Sequence, residues 1–188
     1  LGGLEHARGK YSEGEPFARR SVEIRKLALG SNHPAVAADM AALAALLDGQ
    51  GKFREAERLY HRALKIFERV YGPDHYEVAV NLNNLAVINQ AKGNGFKAER
   101  LYKRALAIKE KIFGSDSLEA AVTMNNLAGL YKNQDKENEA AQLYHRSLSI
   151  LLDKLEADHP DVIAVSENYA LLSQAKTLPS IASLKSAI

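Results

Sequence analysis

The chain has 188 residues, of which 46% are hydrophobic, so it can bury a core without crosslinks or metals. It contains no cysteine, which removes disulfides, thiolate metal sites and cysteine nucleophiles together and fits a reducing compartment, the cytoplasm by default. With 25 basic and 23 acidic side chains the formal charge is only +2, neither sign forms a long run, and no stretch reaches the roughly 20 apolar residues that span a bilayer; neither nucleic acid nor membrane is an expected partner.

Apolar residues at helical spacing, interrupted at regular places, predict nine helices and no strand. The first covers about 10–29 and stops before Gly30. A pair follows at about 34–49 and 53–71, opening on Pro34, turning at Gly51 and ending before Gly72. In the next pair, about 76–92 and 96–113, Val78, Leu82, Leu85 and Ala86 recur on one face, Gly93 to Gly95 break the pattern, and Ala98, Leu101, Tyr102, Ala105, Leu106 and Ile108 resume it. A third pair is predicted at about 118–133 and 137–156, and an eighth helix at about 160–176, opening on Pro160. A short ninth is expected from about 180, after Pro179, with Ile181 and Leu184 covering the apolar face of 160–176.

These pairs repeat one another. His33, His75 and His159 open three of them, Ser117 stands in the fourth place, and Gly30, Gly72 and Gly114 share a register with a period of 42. Residues 33–74 and 75–116 are identical at 18 of 42 positions, against roughly one in fifteen for unrelated chains, so the unit arose by duplication. The expected division is a partial repeat at 1–32, complete repeats at 33–74, 75–116 and 117–158, and a partial one at 159–188, forming a single array. The first residue is Leu and both ends cut into a repeat, so a piece of a longer protein is expected. A lone hairpin cannot bury both apolar faces, so neighbouring hairpins must stack to make the core.

The stretches Asn81-Leu82-Asn83-Asn84-Leu85-Ala86 and Ala98-Glu99-Arg100-Leu101-Tyr102-Lys103-Arg104-Ala105-Leu106 closely resemble the 42-residue tetratricopeptide (TPR) repeats of kinesin light chains and their bacterial relatives. Met124-Asn125-Asn126-Leu127-Ala128 and Leu143-Tyr144-His145-Arg146 repeat the pattern, and the resemblance covers essentially the whole chain. It implies an all-α, right-handed superhelical solenoid of antiparallel helix pairs, about four to four and a half repeats, with the first helix of each pair lining a groove for a peptide or a partner's helix. The chain departs from the pattern at its turns: Gly51-Lys52-Phe53 becomes Gly93-Asn94-Gly95 and then Asp135-Lys136-Glu137, which predicts looser turns in the second half.

Asn84, Asn126 and Asn168 hold equivalent places two positions before Ala86, Ala128 and Ala170, the small residues expected where the helices of a hairpin touch. A row of carboxamides, each both donor and acceptor, can pair with the backbone of an extended peptide of any sequence. The same amides can instead serve helix-to-helix hydrogen bonds. Asn83 and Asn125 are expected at the rim, and Val87 and Gln90 on the third repeat with Lys132 and Asn133 on the fourth continue the groove, which reads as shallow and neutral. With Lys132 as its one cation and Asp48 and Glu167 elsewhere in the row, it does not suit a carboxylate clamp or a strongly acidic partner.

The other columns carry no chemistry. Arg20, Arg62, Arg104 and Arg146 are best read as partners of acidic residues of neighbouring turns. His33, His75 and His159 are helix-opening residues, because equivalent places on stacked helices about 8–10 Å apart cannot converge on one metal ion. No nucleophile motif, phosphate-binding loop or catalytic carboxylate pair is present, so no enzyme, cofactor or metal is expected. The functional expectation is a protein-interaction scaffold, with a structural spacer or self-assembling unit, joined through its ends, as the alternative.

Overall fold

The computed structural model describes residues 11–173, which form eight helices and no strand. They are α1 (Tyr11–Leu29), α2 (Pro34–Gly49), α3 (Phe53–Tyr71), α4 (Tyr76–Ala91), α5 (Gly95–Phe113), α6 (Leu118–Lys132), α7 (Glu137–Lys154) and α8 (Pro160–Ser173). The first residues of α2, α4, α6 and α8 stand 42 apart. The helix expected from about 180 lies outside the described residues.

The starts follow from capping chemistry. A helix leaves its first N–H groups without intrahelical partners. The Nδ1 atoms of His33, His75 and His159 accept from the backbone N–H of Ala35, Glu77 and Asp161 at 3.1, 3.2 and 3.2 Å, and the Ser117 hydroxyl accepts from Ala120. The repeat-opening histidines are therefore N-caps, as their position predicts.

The turns correct one expectation. In all three, the backbone closes on the carbonyl five residues back: Lys52 on Leu47 at 2.8 Å, Asn94 on Asn89 at 2.8 Å and Lys136 on Tyr131 at 3.0 Å. The residue before each of these donors is left-handed, Gly51 at φ 73°, Gly93 at 77° and Asp135 at 58°. The turn in the second half is thus as tightly bonded as the first, because the bonds depend on a left-handed residue and not on the lost aromatic ring. Asp135 carries the strain that glycine avoids.

The chain divides into two compact units, Leu1–Leu101 and Tyr102–Ile188, with the boundary inside α5. In the first unit α1 packs on α2, α2 on α3 and α3 on α4, with α4 also beside α2. Ala37, Ala44, Ala56 and Ala63 are fully buried and let these backbones approach, while Tyr60 and Phe67 fill the space between them. Gly49 is required by a close approach: a Cβ there would lie 2.6 Å from the Tyr11 ring, which packs on the end of α2. In the second unit α6 packs on α7, α7 on α8, and α8 also neighbours α6. Ala121, Ala128 and Ala140 play the small-residue part there, Tyr144 and Leu148 the large one, and the buried Ser147 hydroxyl donates to the Ala121 carbonyl at 2.8 Å.

Polar contacts, most of them at the partly exposed edges, mark the seams between consecutive helices. Ser21 and Arg25 on α1 both donate to Asp39 on α2, each at 2.8 Å. Hydrogen bonds from Lys52, then Arg19 and Gln50, hold the Glu15 carboxyl down at about 2 against the opposing effect of burial. Lys92 and Lys97 do the same for Glu57, also at about 2. In the second unit the almost fully buried Lys109 donates to the Thr123 hydroxyl at 2.8 Å, and burial lowers its pKa.

Candidate functional site

The predicted site residues lie on the first helices of the hairpins, and helical geometry decides which of them share a face. On α4, Asn84, Val87 and Ala91 follow one another at spacings of three and four, so they form one stripe. The rest of the helix packs inward, with Leu82, Leu85, Ala86 and Ile88 buried. The stripe stays at the surface: Asn84 is half-buried, Val87 is 36% exposed and Ala91 is exposed. In the second unit the same register gives Val122, Asn126, Gly129 and the exposed Asn133 along α6, then Ala164, Asn168 and Leu171 along α8. Val122 is 38% and Leu171 57% exposed. Each face is neutral and mixes aliphatic surface with carboxamides. The nearest charges of the row are the half-buried Asp48 on α2, the half-buried Lys132 on α6 and the exposed Glu167 on α8.

The amides are not idle. In the first unit Asn84 is hydrogen-bonded to the hydroxyl of Tyr60 on α3; burial first, and the charge of Asp48 second, push that hydroxyl far above the usual tyrosine range, and the Asn84 bond works against them. In the second unit Asn168 Nδ2 donates to Asn125 Oδ1 at 3.2 Å, across from α8 to α6. Asn125 is half-buried and bridges to α8, because the helix that follows presents an amide within its reach. Asn83, Gln90, Asn126 and Lys132 are half-buried.

Sequence reasoning missed three participants. Val122 stands one turn before Asn126, a spacing that would have revealed it. Tyr60 and Tyr144 belong to second helices, and only the packed structure brings their hydroxyls toward the amide face. Two buried asparagines, Asn81 and Asn89, lie off that face; each donates to the carbonyl four residues earlier, Glu77 at 2.8 Å and Leu85 at 2.7 Å.

Of the arginine column, Arg146 is paired with acidic and backbone groups near the end of α5. Arg146 donates to the Ser115 carbonyl at 3.1 Å and lies 3.5 Å from Glu110 and 3.7 Å from Asp116. Among the described residues no group of three or more His, Cys, Asp or Glu could hold a metal ion, and no helix is long and apolar enough to cross a membrane.

Comparison with known proteins places these features. A tetratricopeptide-repeat family profile matches residues 1–68, 49–94 and 77–153. BtubC (BKLC) from P. vanneervenii is 26% identical, with a TM-score of 0.80 over 93% of this chain and 70% of that one. A protein from Podosopora anserina, described by its structure as of kinesin light chain type with nearly identical TPR-like repeats, is 24% identical, with a TM-score of 0.75 over 93% and 83%. A point variant of the latter gives 24% and 0.76 over 93% and 82%. No curated protein matches the sequence. Tetratricopeptide repeats are protein–protein interaction and scaffolding modules, and the structural neighbours carry the kinesin light chain form of them. With the profile spread over most of its length, and with 42-residue helical hairpins whose histidine caps and small-residue columns recur in register, the chain belongs to the tetratricopeptide-repeat family.

Proposed function

We propose that the chain is a cytoplasmic scaffold that takes an extended or helical segment of a partner protein along the amide-bearing faces of its first helices, without catalysing a reaction. The observation that carries this is the stripe itself: Val87 in one unit, and Val122 and Leu171 in the other, leave aliphatic surface exposed beside carboxamides on helices that each bury another face in the core. Aliphatic surface supplies affinity and amides supply pairing for a peptide backbone, and the near absence of charge favours an uncharged segment. Asn83, Asn84, Val87 and Gln90 form the contact face of the first unit, and Asn125, Asn126, Lys132, Asn133 and Asn168 that of the second.

A second reading, a spacer that self-associates through its ends, is favoured by the internal bonds of Asn84 and Asn168, which fit amides that belong to the frame. A membrane-bound array of uncharged 12-residue peptides distinguishes the two, read with the wild type and with Val87→Lys and Leu171→Lys. Both substitutions place a charge on exposed surface, so melting should stay within about 0.5 kcal/mol while peptide binding falls at least about tenfold. Peptides held equally by all three proteins, or by none of them, would leave the spacer reading in place.

A further inference from the structure

Tyr60, Tyr102 and Tyr144 share one column of the repeat, and the first and last of them are not treated alike. Tyr60 in the first unit has its hydroxyl tied to Asn84. Tyr144 in the second is 2% exposed, yet no group among the described residues hydrogen-bonds its hydroxyl, and burial alone raises its pKa. The amide that could have closed it, Asn168, is turned away to Asn125. Above Tyr144 on α6 stands Gly129, only half-buried, where α2 carries Ala45 at the equivalent place. A Cβ added at Gly129 would meet a single foreign heavy atom within 4 Å, the Tyr144 hydroxyl oxygen at 3.5 Å. The missing side chain therefore opens a notch in the stripe, between Asn126 and Asn133, with an unused hydroxyl at its floor.

We infer that the Gly129–Tyr144 notch is a carbonyl-binding subsite, in which the Tyr144 O–H donates to a backbone carbonyl of an extended, uncharged peptide lying along α6. A tyrosine hydroxyl is protonated at neutral pH and carries one O–H that has no acceptor among the described residues here, so an acceptor is the partner that would satisfy it. A backbone carbonyl fits because the floor is recessed by one methyl group beside a helix, where a peptide chain can approach closely only over glycine. Asn126 and Asn133 flank the notch at helical spacings of three and four and would hold the neighbouring peptide groups. This inference rests on the scaffold reading above and narrows it to a defined contact.

The test uses the full chain, an uncharged 12-residue peptide selected on the array, and the variants Tyr144→Phe and Gly129→Ala. Tyr144→Phe removes a hydroxyl with no partner in the free protein, so melting should hold while affinity falls about five- to tenfold. Gly129→Ala makes only an ordinary van der Waals contact with the hydroxyl and replaces a mid-helix glycine, so it should raise the melting temperature and still weaken binding at least about fivefold. Stability moving up while affinity moves down is a pattern that loss of fold cannot produce. Unchanged binding by both variants would overturn the subsite and leave the scaffold reading standing. Binding weakened by Gly129→Ala but not by Tyr144→Phe would overturn the hydrogen bond. No wild-type binding to any uncharged peptide would remove the scaffold reading, and this inference with it.

Discussion

Lys109 should be worth more as a hydrophobic residue than as itself. It is 6% exposed, its ammonium donates to the Thr123 hydroxyl, and Glu119 is the acidic group whose field favours its charge. Desolvating an ammonium costs several kcal/mol, and a hydrogen bond to a charged group returns about 1.5–3 kcal/mol. The repeat-equivalent positions hold Phe67 and Leu151, both 1% exposed, so the site accepts a large apolar side chain. Lys109→Met should therefore stabilise the second unit by about 1–3 kcal/mol at pH 7. Thr123 is not stranded by the change, since its hydroxyl already donates to the Glu119 carbonyl at 3.2 Å. The pH dependence fixes the sign independently. Burial depresses the lysine pKa in the folded chain below its unfolded value, so toward alkaline pH the unfolded chain binds more protons and wild-type stability rises relative to the variant. Urea unfolding at pH 7 and about 9.5, with amide exchange in α6 and α7 to read the second unit by itself, should show the variant ahead at pH 7 by a margin that shrinks at the higher pH. A variant less stable than the wild type at pH 7, or a margin independent of pH, would refute the reasoning.

Three further outcomes follow from local chemistry. Asp135→Gly should stabilise the second unit by up to about 1 kcal/mol in urea unfolding, because it relieves a left-handed residue whose backbone bonds are otherwise intact. Glu57→Gln should cost about 1 kcal/mol in melts above pH 5, a figure kept small by the 31% and 48% exposure of Lys92 and Lys97; the Glu57 carboxyl is held below its unfolded value, so the cost should fade as pH drops from about 4.5 toward about 2. His75→Ala should destabilise by about 1 kcal/mol and speed exchange of the Glu77 amide, whereas His75→Ser should retain most of the stability, because the cap needs an acceptor and not an imidazole.

What the sequence revealed was whatever a single position decides. A left-handed residue after the helix, a proline in its first turn and an acceptor at its N-cap act on their own backbone, so Gly30, Pro34 and His75 announced their helices' ends correctly. Alanine columns were legible for the same reason, since a small residue recurring every 42 positions means a recurring close approach. The choice of partner for each amide was not legible, because it is settled by residues on other helices. Lys109 lay between those cases: read down its column beside Phe67 and Leu151 it stands out as a charge in an apolar place, but its bond to Thr123 needs the next hairpin. The error over the turns came from crediting the aromatic ring with bonds that Asp135, once left-handed, makes without it.

Asn84 and Asn168 occupy the same place in two copies of one unit, yet one bonds a tyrosine and the other an asparagine, and a single upstream residue accounts for the difference. Asn168 donates to Asn125, which lies 43 positions before it; the residue 43 positions before Asn84 is Ala41, which has no acceptor to offer. Denied an amide on the preceding first helix, Asn84 bonds Tyr60 instead. Asn125→Ala should then convert the second unit to the arrangement of the first, sending Asn168 onto the Tyr144 hydroxyl. One amide bond is exchanged for another, so melting should move by less than about 1 kcal/mol. The peptide-binding consequence is larger, because an occupied hydroxyl can no longer serve the notch beside Gly129. Tyrosine resonance Raman bands, taken as the difference between Asn125→Ala and Asn125→Ala/Tyr144→Phe, should report a hydrogen-bonded phenol in the free protein where the corresponding wild-type difference reports a free one. A free phenol in both would mean that Asn168 is held in place by the backbone of α8 and not by competition between its two neighbours.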